Sequence, residues 1–195
     1  MFNKAPRVLC LIICLAGSAD FALAQSQDLK PAQTSSEKPA YLKRPVTSAA
    51  ERQALLQLCA QFQQALREKN GKLLASLLLH DQILFNSPAN PEFSDLIKTK
   101  HNPHFNGLAP NGALDFMRFI TTHKGTVEEK FYDIQINQDK HLAWVNFDFE
   151  FIENGKVVNY GQEHWQVLKT SSGEWKIFSV VWSSYGEAPV QPASR

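Results

Sequence analysis

The chain has 195 residues, 44% of them hydrophobic, with 20 basic and 19 acidic side chains and a formal net charge of +1. This length supports one domain with a sizeable core. The absence of excess positive charge argues against nucleic acid and anionic membrane surfaces as partners, because both require net or clustered positive charge.

The first 24 residues have the pattern of a cleaved signal peptide. Lys4 and Arg7 precede a short apolar run, Val8 to Ala16, and Ala22-Leu23-Ala24 is the small-x-small pattern that a signal peptidase reads. The apolar run is too short for a membrane span, which needs roughly 20 residues. A lipoprotein signal is the alternative, since two cysteines lie in this segment, but neither follows a small residue. We therefore predict export, to the periplasm or out of the cell, with no membrane attachment after cleavage.

Cleavage after Ala24 leaves 171 of the 195 residues. Residues 25–46 are polar, contain three prolines and lack apolar periodicity, which predicts a disordered linker. A folded domain is expected over 47–185 and a flexible tail over 186–195. Cys59 is the only cysteine left after cleavage, so no internal disulfide is expected.

The front of this domain has the pattern of three helices. Ser48 and Glu51 form a capping box, and the apolar residues behind them follow helical spacing. A shorter, leucine-rich helix ends near His80, and Ile83 to Phe85 has the pattern of a brief strand. Residues 87–111 contain four prolines and are predicted to be a loop, after which a third helix follows.

The last third of the chain, Thr126 to Ser184, has the pattern of an antiparallel meander. Asn154-Gly155 between two apolar-rich runs is typical of a hairpin. Side chains along a strand alternate between its two faces. In residues 142–151 the odd-numbered positions carry the apolar side chains, and we expect them to face the helices.

In the next strand, an acid lies among the odd-numbered positions, which are again expected to face the helices. Gly161, Trp165 and Val167 share that parity, so Glu163 is predicted to lie among apolar side chains. In the last strand both parities are apolar, which predicts that both faces are covered. A second copy of the chain is the simplest cover, so we expect a homodimer through the outer face of the sheet.

Several segments of the sheet region resemble one known superfamily. They are Leu142-Ala143-Trp144-Val145, Gly155-Lys156-Val157, Gly161 with Glu163 and Trp165, and Gly173-Glu174-Trp175-Lys176-Ile177 leading to Trp182-Ser183. With helices first and a hairpin-rich sheet after them, the chain resembles the nuclear transport factor 2-like superfamily, which includes SnoaL-like polyketide cyclases, ketosteroid isomerases and scytalone dehydratase. It also resembles the lumazine-binding-like branch.

The resemblance implies an α+β fold. Three N-terminal helices would pack on a curved, mainly antiparallel sheet of about four to six strands and form a cone-shaped domain with a pocket. The resembling segments consist of turn glycines and core aromatics, so they indicate fold and not activity. The tyrosine and paired aspartates of ketosteroid isomerases have no match in this chain.

Glu163 is the strongest candidate for chemistry. Burial of its carboxylate is expected to raise its pKa toward the range that suits a general base. His80 and Asp81, at the end of the second helix, are further catalytic candidates, since the pair could orient a proton-transferring imidazole. The pocket is expected to be apolar with few polar groups, and the residues predicted to bind a ligand are Phe62, Phe116, Phe147, Phe149, Glu163 and Trp165.

No metal site or cofactor is predicted. His101 and His104 have a spacing that can ligate zinc from a helix, but Pro103 lies between them and no third ligand is evident. The sequence also contains no glycine-rich phosphate loop and no nucleophile elbow.

Three functions remain open from the sequence. The favoured one is binding of a small apolar or aromatic molecule in the cone without catalysis. The second is a cofactor-independent isomerase, dehydratase, cyclase or hydrolase with Glu163 as general base. The third is a dimeric interaction module of an envelope complex. An enzyme predicts two or more titratable groups that converge in the cavity, whereas a binding protein predicts a lone acid.

Overall fold

The computed structural model describes residues 38–108 and 112–189. The predicted signal peptide, most of the predicted linker and the last six residues of the predicted tail lie outside this range. None of the helices in the described part is both long and apolar enough to cross a membrane.

The described residues form four α-helices, preceded by a 3-10 turn at Ala40–Leu42. They are α1 (Ala49–Arg67), α2 (Gly71–Leu77), α3 (Pro91–Lys100) and α4 (Ala113–Thr122). Helix α3 lies inside the segment predicted to be a loop, so that prediction is wrong. The reason is positional: Pro91 is the first residue of α3, where a missing N–H group costs no hydrogen bond. The three expected helices correspond to α1, α2 and α4.

Helix α1 begins where the capping pattern predicts. The Ser48 hydroxyl accepts a hydrogen bond from the Glu51 backbone N–H at 3.2 Å. The Glu51 carboxylate does not return the bond to Ser48; it accepts hydrogen bonds from the Lys169 ammonium and, at 2.9 Å, from the Trp175 indole N–H. One side chain therefore joins the start of α1 to two strands of the sheet.

The sheet has five strands in the order β1-β5-β4-β3-β2. They are β1 (Leu84–Asn86), β2 (Val127–Asp139), β3 (Leu142–Glu153), β4 (Lys156–Lys169) and β5 (Trp175–Trp182). Strand β1 pairs with β5 in parallel, and all other pairs are antiparallel. The sheet is curved and unclosed, and α1, α2 and α4 pack on its concave face. The predicted α+β class is confirmed.

The predicted parity of β3 and β4 agrees with the observed burial. The odd-numbered positions that are buried on these two strands are Ala143, Val145, Phe147, Phe149, Glu163, Trp165 and Val167. In the register of the pair, Phe147 lies opposite Glu163 and Val145 opposite Trp165. The acid therefore lies in the apolar interior.

Bulges explain why β5 is apolar on both parities. Gln166 pairs with Ser179 but Val167 pairs with Ile177, so Phe178 is an extra residue on β5. Because an extra residue reverses the alternation, Ile177 is buried before the bulge and Val180 after it. The apolar character of both parities therefore requires no cover on the second face.

Gly161 marks a close approach between β4 and the segment that follows β5. A Cβ atom at Gly161 would lie 2.5 Å from the carbonyl oxygen of Ser183, which belongs to the backbone and has little freedom to move. The backbone N–H of Ser183 also donates to the Gln162 carbonyl at 2.9 Å. Glycine at 161 is what allows this contact.

We predict that Gly161→Ser lowers the free energy of unfolding by about 1–3 kcal/mol, because the added atoms overpack this contact. Chemical denaturation measures the change. The matched control is Gly112→Ser, where a Cβ atom meets nothing within 4 Å and serine is a favourable helix N-cap. Equal stability of the two variants would contradict the steric account.

Candidate functional site

A cavity of about 210 Å³ lies on the concave face of the sheet, beneath α4. Every strand of the sheet contributes to its wall. Six of its nine lining side chains are aromatic, and the lining residues are Phe85, Phe116, Phe119, Glu129, Phe149, Phe151, Asn159, Glu163 and Trp182.

The aromatic wall is a chain of rings in contact. The Phe85 ring lies 4.6 Å from Phe116 and 5.3 Å from Trp182. Phe151 lies 6.3 Å from Phe116 and 6.2 Å from Phe119, measured between ring centroids. Aromatic pairs at these separations attract each other, so α4, β1, β3 and β5 hold a continuous apolar wall.

Glu163 enters the cavity from β4. Its side chain is 4% exposed, and its Oε1 accepts a hydrogen bond from the Trp165 indole N–H at 2.5 Å. Trp165 is itself fixed in the core, with its ring 4.9 Å from Phe62 and 5.1 Å from Phe147. The donor that orients the carboxyl group is therefore rigid.

Glu129 enters the same cavity from β2 and is also 4% exposed. Its backbone carbonyl accepts a hydrogen bond from the Gln63 side chain at 2.9 Å. Within the described residues, no group hydrogen-bonds the Glu129 carboxyl. Because Glu129 lines the cavity, a ligand bound there can reach its carboxyl group.

Both acids have a raised pKa. Desolvation is the main cause for Glu129, and repulsion by Glu163 adds to it. Desolvation raises the pKa of Glu163 to about 8, against the opposing effect of the Trp165 hydrogen bond. No lysine, arginine or histidine is among the described residues that line the cavity. The two acids therefore have no cationic side chain to neutralise them there.

Cys59 of α1 belongs to the same buried environment. It is 1% exposed, and burial, with a further contribution from Glu163, raises the pKa of its thiol to about 12. The thiol is therefore protonated at neutral pH and a poor nucleophile. No three His, Cys, Asp or Glu side chains in the described part of the chain form a group that could hold a metal ion.

The predicted ligand-binding residues divide into two groups. Phe116, Phe149 and Glu163 line the cavity. Phe62, Phe147 and Trp165 are buried behind it and form the aromatic core that supports Glu163.

The other catalytic candidates lie elsewhere. His80 and Asp81 are exposed in the turn after α2, and the His80 Nδ1 accepts a hydrogen bond from the Gln82 backbone N–H at 3.1 Å. Neither lines the cavity. His101 and His104 are exposed beyond the end of α3.

Sequence reasoning missed Glu129, although a signal was present. Val127, Glu129 and Phe131 share one parity of β2, just as Gly161, Glu163 and Trp165 do on β4. The bulge between Tyr132 and Gln135 hides this signal, because it reverses the alternation further along the strand. The sequence also did not predict five other wall residues, which are Phe85, Phe119, Phe151, Asn159 and Trp182.

We predict that the protein is more stable at pH 5 than at pH 8. Throughout this window an unfolded glutamate, with an ordinary pKa of 4.5, is mostly ionised, while folded Glu163 keeps its proton up to about pH 8. The free energy of unfolding therefore falls as the pH rises, by on the order of 3–5 kcal/mol at most for Glu163. Urea denaturation across the window measures the slope.

Glu163→Gln should reduce this slope and be more stable than the parent protein at pH 8. Glu128→Gln is the matched control, because Glu128 is the neighbour of Glu129 on β2, is partly exposed and pairs with Lys130 at 3.7 Å. The control should keep the parent slope. A parent protein whose stability is flat or rises from pH 5 to pH 8 would refute the buried-acid assignment.

Comparisons with known proteins identify the fold. No family model matches the chain. No curated protein matches it either. Solved structures do. A candidate scytalone dehydratase from Novosphingobium aromaticivorans has a TM-score of 0.52 and 17% identity, over 76% of this chain and 98% of that one.

Two further matches are nuclear transport factor 2-like proteins. The one from Cytophaga hutchinsonii has a TM-score of 0.51 and 15% identity, over 69% of this chain and 98% of its own. The one from Shewanella baltica has a TM-score of 0.50 and 12% identity, over 72% and 98%. At these identities the likeness concerns the fold alone. The chain therefore has the nuclear transport factor 2-like fold.

Proposed function

We propose that the cone binds a small molecule with an apolar or aromatic body and that Glu163 and Glu129 transfer a proton to or from it without a cofactor. The observation that carries this proposal is the convergence of two buried carboxyl groups from different strands on one aromatic cavity. A binding protein with a lone acid in its cavity was the expectation favoured from the sequence, and the second acid favours the enzyme.

The environments of the two acids differ, which supports separate roles. Glu163 accepts the Trp165 hydrogen bond, which favours its ionised form. Glu129 has no such donor among the described residues, and burial favours its protonated form. We assign Glu163 as general base and Glu129 as general acid, since two acids in different environments can divide these tasks.

Non-catalytic binding is the second candidate function. It is favoured by the absence of tyrosine and histidine from the described residues that line the cavity. The wall offers shape and apolar surface, and binding alone requires no more. The two candidates differ in whether a bound carbon acid loses a proton.

Export and dimerisation are separate proposals. The N-terminal pattern supports export. For the outer face of the sheet, partly exposed Trp144 and exposed Tyr132 support a homodimer interface or an interaction module.

Proton exchange on a cyclic ketone fused to a benzene ring tests the proposed function. 2-Tetralone has C–H bonds next to its carbonyl that exchange with deuterium, and proton NMR in D₂O follows their loss. We expect the full chain to accelerate exchange and Glu163→Gln to slow it by about 10²- to 10⁴-fold, the usual contribution of a general base. Binding, measured by calorimetry, should change little.

Glu129→Gln should also slow exchange, and Glu128→Gln should match the parent protein. Binding of 2-tetralone without accelerated exchange would replace the enzyme with the binding protein. Unchanged exchange in Glu163→Gln would remove Glu163 from the mechanism.

A further inference from the structure

The charge balance of the cavity restricts what it can bind. Its two ionisable side chains are both acids, and the described lining residues include no base. The titratable groups that face the pair are the two acids themselves and Cys59 on α1, which is protonated at neutral pH. An anionic ligand would therefore meet only repulsion from either acid in its ionised form.

The Glu129 carboxyl lines the cavity and accepts no hydrogen bond from the described residues. A neutral, apolar ligand would leave it buried without a hydrogen bond, which costs free energy. An ammonium group presents up to three N–H donors together with a positive charge, so one such group can serve two carboxyl groups.

The aromatic wall also favours a positively charged ligand. Phe85 contacts both Phe116 and Trp182, and the three rings line the same cavity as the acids. The faces of aromatic rings attract cations, most strongly at tryptophan. The cavity of about 210 Å³ is smaller than the roughly 300–1,000 Å³ of pockets for drug-sized ligands. It has room for a small molecule of one or two rings.

We propose that the cavity binds a small organic ammonium cation with an aromatic or apolar body, its ammonium group held between Glu129 and Glu163. This inference rests on the proposed function, because it assigns the substrate class of the same site. It deepens that function by fixing the charge of the ligand.

A cation changes the protonation of the pair when it binds. One carboxyl group must ionise to neutralise the ammonium, so binding of a preformed cation releases a proton below the pKa of Glu163, about 8. Affinity should therefore rise with pH, by up to about tenfold per unit between pH 6 and pH 8. A neutral ligand should show no such rise, and an anion should bind more weakly as the pH rises.

Three probes with one aromatic body test the inference. They are phenethylamine, 2-phenylethanol and 3-phenylpropionate, titrated into the full chain by calorimetry at pH 6, 7 and 8 in two buffers of different ionisation enthalpy. We expect phenethylamine to bind at least tenfold more tightly than the alcohol at pH 8, with about one proton released. The carboxylate should not bind.

Variants assign the site. Glu129→Gln and Glu163→Gln should each lower the affinity for phenethylamine at least tenfold and leave the affinity for 2-phenylethanol unchanged. Glu128→Gln should bind both compounds as the parent protein does. Equal affinity for amine and alcohol, affinity that is flat or falls with pH, or no amine binding at millimolar concentration would overturn the inference. The three probes test the inference on the parent protein alone, even where a variant fails to fold.

The outcomes separate this inference from the proposed function. Amine selectivity with the expected pH dependence, but no exchange of 2-tetralone protons, would keep the cation site and reject the enzyme. Accelerated exchange of 2-tetralone without amine selectivity would keep the enzyme and reject the cation site.

Discussion

Two carboxyl groups removed from water on the concave face of the sheet are the constraint on which the site depends. Strand β3 lies between them, with Phe151 opposite Glu129 and Phe147 opposite Glu163. Burying one ionised acid without a partner is costly, and burying two near each other is more so. The fold therefore holds protons on these groups at neutral pH, or holds a ligand that neutralises them.

The rest of the core keeps this arrangement in place. Trp165, Phe62 and Phe147 form a rigid cluster behind Glu163, and Phe131 stacks on Phe147 with centroids 3.9 Å apart. Core packing at this density moves little, so the carboxyl groups are held in one geometry. A site built on paired strands is more precise than one on loops, which suits proton transfer and selective binding alike.

Much of the fold follows from simple alternation, and the misses have physical causes. The parity of β3 and β4 is readable because apolar residues alternate without interruption there, and it placed Glu163 inside. The same reasoning fails in β2 and β5, because a bulge in each strand changes whether the odd-numbered or the even-numbered side chains are buried. For that reason Glu129 and Trp182 were not predicted to line the cavity.

Other wall residues depend on contacts that the sequence does not encode locally. Phe85 lies on a strand of three residues whose pairing with β5 is parallel and distant in sequence. Helix α3 was hidden by prolines, which indicate a loop by composition but tolerate a helix when one of them is its first residue. His80 and Asp81 were expected at the end of α2, but this helix ends earlier, at Leu77.

Carboxyl carbon titration by NMR is the most direct test of this account. In protein labelled with ¹³C at glutamate side chains, two carboxyl signals should titrate far above the ordinary value of 4.5. One of these signals should be absent from Glu129→Gln and the other from Glu163→Gln. Glutamate signals that all titrate close to the ordinary value would contradict the account, because the two acids would then be in contact with water.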